Sequence, residues 1–210
     1  QIDILIDMSG HTAGDRLKVF ARHPAPVQIT WIGYPGTTGI KAMDYILMEN
    51  TVLPGKNINA QFTEKIIRIP RSYAFDVEEQ LPDVTEAPCV NNNFITFGSF
   101  NRLNKINREV IALWCEVLRK LPDSRLQMAG MPSDGAPDEL LTWFKEEEIS
   151  EDRLYFYPRS GFVEYLKLHN QVDFCLDTFP YTGGTTTMHA LWMGVPTLTL
   201  IGDTYPSAQG

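Results

Sequence analysis

The run LDTFPYTGGTTTMHALWMGVPTLTL, Leu176 to Leu200, sets two glycines and three consecutive threonines between a strand-like and a helix-like segment. Gly183 and Gly184 carry no Cβ, so the backbone can turn tightly there and approach a ligand closely. Thr185, Thr186 and Thr187 then open the helix. The first amides of a helix lack intrahelical partners, and the helix dipole favours an anion beside them. The hydroxyls add further donors. One threonine would serve as an ordinary cap after a glycine turn; three behind two glycines fit a phosphate cradle better. A second loop, GSFNRLNK, sets Arg102 and Lys105 just beyond another strand. A lone cation is usually a solvated surface charge. Two beside an anion-ready helix can hold a diphosphate, Arg as a planar fork and Lys as a point charge.

Other chemistries lack their residues. Neither loop has the glycine-rich pattern ending in Lys-Ser/Thr that marks a nucleoside triphosphatase. His11, His23, His169 and His189 are scattered, without the paired helical spacing of a zinc enzyme. There is no Gly-x-Ser-x-Gly elbow. His23 precedes Pro24 and reads as structural; His169 closes a helix, where it favours the dipole. Asp7 and Asp44 close strands and read as local caps rather than catalysts; Asp177 is open to either part, with a structural bond that holds its loop the favoured one. Trp31, Trp114, Trp143 and Trp192 read as core or core-edge residues.

The elements that must position these loops follow from periodicity. Ile2 to Met8, Val27 to Ile32, MDYILMEN and Lys65 to Ile69 read as strands, with a short helix over GDRLKVFARHPAP. A domain boundary is expected near the Asn91-Asn92-Asn93 run, giving units 1–90 and 91–210. Beyond it, strands FITFGSF, SRLQMAG, RLYFYP, VDFCLD and VPTLTLIG alternate with helices over NREVIALWCEVLRKLP, PDELLTWFKEEE, FVEYLKLHNQ and TTTMHALWMG. Alternation over short loops predicts an α/β fold, a Rossmann-like parallel sheet with helices on both faces. In such a sheet ligands bind beyond the carboxyl ends of the strands, where all the loops of interest fall.

Composition narrows the partners. The 210 residues carry a formal charge of −8, which argues against a general nucleic-acid or anionic-membrane surface but leaves room for a small basic pocket. Cys89, Cys115 and Cys175 are odd in number and lie in apolar contexts, so buried free thiols in a reducing, cytoplasmic compartment are expected. No apolar run reaches membrane-spanning length and no signal-peptide pattern opens the chain. Residue 1 falls inside a buried-strand pattern, so a fragment with its upstream part elsewhere is expected.

Taken together, IDILIDMSGHTAGDRLKVFARHPAPVQITWIGYPGTTG, MDYILMEN, FGSFNRLNKI, ALWCEVLRKLPDSRL and VDFCLDTFPYTGGTTTMHALWMGVPTLTLIGD resemble one family over nearly the whole chain. This is the bacterial, SPINDLY-like group of O-linked N-acetylglucosamine transferases, glycosyltransferase family 41. The match is weakest from Thr51 to Asn93. The resemblance implies a GT-B arrangement of two Rossmann-like lobes, a second lobe truncated at Gly210, and tetratricopeptide repeats upstream. It implies inverting, metal-independent transfer of N-acetylglucosamine from UDP-GlcNAc to Ser/Thr of a protein acceptor, with no cofactor. Lys105 falls where the family lysine meets the donor diphosphate and assists its departure. Arg102 falls near the phosphates, and Thr185 and Thr186 match the threonines that hold the diphosphate, with Thr187 and Gly184 beside them. Tyr165 falls where a ring stacks on the uracil, Gly33 and Pro35 in the loop lining the sugar pocket, and His11 near sugar and acceptor. His189 departs: relatives usually have an acid there that bonds the ribose, and a neutral imidazole accepts only one bond. The upstream histidine-bearing part of the first lobe is not in this chain, so the resemblance implies a fragment inactive alone. Two further readings stay open: a related transferase using GDP-fucose or UDP-glucose, and a non-catalytic binding module of the same fold.

Overall fold

The computed structural model describes residues 2–50, 57–70 and 81–210. Contacts divide the chain into two units, Gln1–Ala74 with Ile201–Gln209, and Phe75–Leu200 with Gly210.

In the first unit, β1 (Ile4–Asp7), a single helical turn α1 (Leu17–Phe20), β2 (Val27–Thr30), β3 (Tyr45–Glu49) and β4 (Lys65–Ile69) follow in chain order. The four strands pair in that same order, all parallel. Successive side chains of a strand point to opposite faces, and the two faces here differ. Leu5 and α1 residues Leu17 and Phe20 pack together with Met43 and Ile40. Gln28, fully buried in β2, donates from Nε2 to the carbonyls of Phe20 and Ala42. On the other face Ile4 and Ile6 remain 55% and 46% exposed. The helix is shorter than the sequence suggests because His23 turns into the left-handed region at φ 53° ahead of Pro24.

The second unit contains α2 (Cys89–Asn92), β5 (Thr96–Ser99), α3 (Arg108–Lys120), β6 (Arg125–Met131), α4 (Asp138–Glu146), β7 (Leu154–Pro158), α5 (Phe162–His169), β8 (Phe174–Leu176), α6 (Thr185–Trp192) and β9 (Thr197–Leu198). Its parallel sheet runs β7-β6-β5-β8-β9. The chain thus steps outward from β5 to β7, then returns to the other side of β5, the order of a doubly wound sheet with its switch point between β5 and β8. The helices cover both faces. Asn107 caps α3 by accepting from the Val110 amide at 2.9 Å, and the buried stripe Val110, Ile111, Trp114, Cys115 and Leu118 packs with Phe97, Leu126, Met128 and Leu176. Cys175, one residue from Leu176 and so on the opposite face, packs instead with Ala190 of α6, Val172 and Val195.

The boundary falls earlier than residue 90. Residues ahead of the asparagine run are tied to the second sheet: Asn170 Nδ2 donates to the Asp83 carbonyl at 2.8 Å, and the Cys89 amide to Asp173 Oδ1 at 2.8 Å. The asparagines themselves form the end of α2, closed by Asn93 at φ 60°, a conformation asparagine tolerates. Residues 201–209, expected in the second unit, return to the first. Tyr205 packs on Met48 there with Phe62 and Ile66, and Gln61 Nε2 donates to the Asp203 carbonyl at 3.1 Å.

Candidate functional site

The switch point gathers the two loops singled out in the sequence. Asp177 follows β8 directly and is 5% exposed. Its Oδ1 accepts from the Thr178 amide (2.8 Å), the Gly183 amide (2.7 Å) and Asn101 Nδ2 (3.0 Å), and its Oδ2 accepts from Thr199 Oγ1 (2.8 Å). The carboxylate therefore closes its own loop and joins it to the loop after β5, the structural part expected of it. Asn107 Nδ2 adds a bond to the Phe179 carbonyl at 3.1 Å, and Trp114 Nε1 one to the Asp177 carbonyl at 3.3 Å.

Lys105 ends a short 3-10 turn, Leu103–Lys105, and is half-buried. Its Nζ donates to the Thr182 carbonyl at 2.7 Å and lies 4.1 Å from the centre of the Tyr181 ring. Burial pulls its pKa below the ordinary lysine value; Asp177 opposes that shift and Arg102 adds to it. Arg102 is exposed.

Helix α6 starts at the expected threonines. Gly184 is its N-cap, with no side chain capping the first turn. The Thr186 hydroxyl, expected as a ligand donor, instead donates to Asn101 Oδ1 at 2.9 Å. A Cβ on Gly183 would stand 2.6 Å from Thr187 Oγ1 and 2.7 Å from Thr186 Oγ1, so this glycine is required for the helix to begin so near the turn.

Tyr165 and His189 lie beside this helix start. The Tyr165 hydroxyl and His189 Nδ1 are 3.2 Å apart, and the rings meet edge to face at 5.5 Å. Burial raises the Tyr165 hydroxyl's pKa and lowers that of His189. Phe162 meets the His189 ring at 5.2 Å, and Phe100 meets Tyr165 at 5.8 Å. His169 does not act as a charge at the helix end. It is fully buried and stacked on Phe100 at 3.9 Å, and burial pulls its pKa down to about 4, so it is neutral. Trp192, expected near the core, is 48% exposed on the outer side of α6. Asn101, Phe100 and Phe162 stand in no motif of their own; their local signal is a position at a strand end or helix start.

The remaining residues belong to the first unit. His11, exposed in the loop after β1, lies with Nε2 3.1 Å from the Thr38 carbonyl and its ring edge-on to Tyr34 at 5.4 Å. Asp7 accepts from the Ser9 and Gly10 amides and from Thr30 Oγ1, so it is the expected cap. Asp44 accepts from the Gln28 amide at 2.8 Å. Gly33 is packed so closely that a Cβ would reach 2.1 Å from the Met8 carbonyl oxygen, and Pro35 is buried. Buried Glu64 fixes this loop, accepting from Thr37 Oγ1, the Thr38 amide and Thr38 Oγ1. Burial pushes its pKa up, but the bonds from Thr38 and Thr37 outweigh that and leave it lowered.

Among the described residues no cluster of three or more His, Cys, Asp or Glu could hold a metal ion, and no helix is long and apolar enough to cross a membrane. Cys115 and Cys175 are buried free thiols whose pKa burial raises to about 12; Cys89 is half-buried, against expectation, because it starts α2 at the margin of the sheet.

Known proteins are similar to this chain in sequence and fold. Residues 1–94 and 83–209 match the model of Glycosyl transferase family 41. The "Probable UDP-N-acetylglucosamine--peptide N-acetylglucosaminyltransferase SPINDLY" of Hordeum vulgare is 36% identical over all of this chain. The "Probable UDP-N-acetylglucosamine--peptide N-acetylglucosaminyltransferase SEC" of Arabidopsis thaliana is 31% identical over 95% of it. A solved O-GlcNAc transferase mutant from Thermobaculum terrenum superposes with a TM-score of 0.86 at 36% identity, covering 98% of this chain. The chain spans 23% of the length of the Hordeum protein and 39% of the Thermobaculum chain.

Proposed function

Because this chain belongs to glycosyl transferase family 41 and has its GT-B-type α/β fold, we propose that it serves the transfer of N-acetylglucosamine from UDP-GlcNAc to serine or threonine of a protein acceptor. The observation that carries this reading is the meeting of Lys105 with the loop that opens α6, at the switch point of a doubly wound sheet. A donor diphosphate laid there meets a lysine ammonium and the unpaired amides of Thr185 to Thr187. As the glycosidic bond opens, negative charge grows on the departing UDP. A cation and amides already in place stabilise that charge without a metal. Arg102 adds an exposed positive charge beside Lys105. The family resemblance gives Tyr165 the part of a ring for the nucleotide base, and gives His11, Gly33 and Pro35 of the first unit a part with sugar and acceptor. Upstream tetratricopeptide repeats and a reducing, cytoplasmic setting complete the proposal.

The alternative reading, a GDP-sugar donor, turns on the residues that would face the nucleoside. His189, at the position expected to face the ribose, is engaged by the Tyr165 hydroxyl. The choice between UDP and GDP is read by calorimetric titration of both into the complete protein. Tight UDP binding, together with transfer from UDP-GlcNAc that Lys105→Ala slows about a hundredfold, supports the reading. GDP preference moves it to a GDP-sugar donor. Binding of neither nucleotide, with no donor hydrolysis, leaves a binding module of the same fold.

A further inference from the structure

We propose that Tyr181 is the positioning residue for Lys105: its ring face and the Thr182 carbonyl form a socket that fixes the ammonium while leaving donors for an anion. This rests on the reading of Lys105 given above. Lysine has a long, flexible stem that loses much rotamer freedom when held in one place. One hydrogen bond, Nζ to the Thr182 carbonyl at 2.7 Å, fixes a distance but still lets the group swing. The Tyr181 ring, 4.1 Å away, adds a second constraint from another direction. An aromatic face attracts a cation through its quadrupole and does not require a directed N–H bond. The ammonium is thus held twice, yet the ring asks for none of its protons. A second carbonyl in that place would have taken one that a phosphate oxygen needs.

The socket is itself rigid. Thr178, fully buried, donates from Oγ1 to the Tyr181 carbonyl at 2.7 Å. The Thr178 and Gly183 amides both end on Asp177 Oδ1, so the Asp177–Gly183 loop is closed around one carboxylate. Asn107 anchors its Phe179 carbonyl. Tyr181 and Thr182 are therefore presented together from a braced turn, and Lys105 reaches them from the loop after β5. This preorganises a charge that would otherwise be ordered only during the reaction.

The test is a double-mutant cycle on turnover in the complete protein. Tyr181→Leu should lower kcat about tenfold while changing UDP affinity little. Tyr181→Phe keeps the ring face and should recover most of that loss. In the Lys105→Ala background, replacing Tyr181 by Leu should cost no further turnover. Tyr181→Met, a long apolar chain without a ring face, is the second variant should leucine unfold the loop. Parental kcat in the Leu or Met variant overturns the proposal. So does a tenfold loss that persists without Lys105, or a Phe variant as slow as Leu. These outcomes leave the role of Lys105 standing if Lys105→Ala is itself slow. If Lys105→Ala turns over like the parent, the diphosphate role fails and the socket with it.

Discussion

At the scale of single residues, three positions carry distinct expectations. Lys105 is half-buried and held, so its loss should fall on the step where charge develops. Lys105→Ala is expected to lower turnover by about a hundredfold, roughly 3 kcal/mol, with a much smaller change in donor affinity. Steady-state kinetics beside UDP calorimetry check this, and near-parental turnover would return Lys105 to the status of a surface charge. Thr186→Val keeps shape and amide but removes the bond to Asn101 Oδ1. Denaturant melts should show a loss of about 1 kcal/mol, with UDP affinity falling less. A fall in UDP affinity alone would mean that the hydroxyl leaves Asn101 to meet the ligand. Gly183→Ala drives a methyl to within 2.7 Å of two threonine hydroxyls and so displaces the start of α6. A cost of about 1–3 kcal/mol and weakened UDP binding are expected. A variant that melts and binds like the parent would show that the turn yields freely.

At the scale of elements, helix α5 closes over Phe100 with a neutral imidazole inside the packing. His169 has its pKa pulled from 6.5 to about 4, so between those values the unfolded chain binds a proton that the folded protein refuses. Stability is therefore complete above pH 6.5 and drains as pH falls toward 4, by roughly 3 kcal/mol in all. Denaturant melts of the parent and of His169→Phe across this range isolate the effect, because carboxylate titrations common to both cancel in the difference. The parent should lose stability relative to the variant as pH falls. Parallel curves would show that water reaches the ring and that burial does not hold it neutral.

At the scale of the whole molecule, the two units are expected to answer a nucleotide differently. The loops after β5 and β8 meet at one switch point within the second unit. UDP at a hundredfold excess over its Kd should stabilise by about 2.7 kcal/mol. Hydrogen exchange should slow over residues 101–106 and 177–188, with β1 to β4 slowing far less. Protection confined to β1 to β4 would place the nucleotide elsewhere and remove Lys105 from the site.

The sequence by itself determined the strands, the longer helices and the order of the loops, but not α2. Short windows of apolar residues set each strand, down to β4 at Lys65–Ile69, and the helical stripe of α3 reads directly from Val110 to Leu118. Glycines ahead of threonines marked the start of α6, since a turn and a helix start are chemistry between near neighbours. The tertiary structure decided what depends on strand order. Asn101 and Asp177 lie 76 residues apart and bond because β8 inserts beside β5. The same insertion brings Lys105 to Thr182, Thr186 to Asn101, and Phe100 beneath the ring of His169. It also decided why Gly183 has no room for a side chain, because only in the folded loop do the Thr186 and Thr187 hydroxyls crowd it. The unit boundary moved from the asparagine run for a related reason. Bonds from residues 83 and 89 to Asn170 and Asp173 join segments distant in sequence, and no local pattern of apolar residues encodes such a pairing.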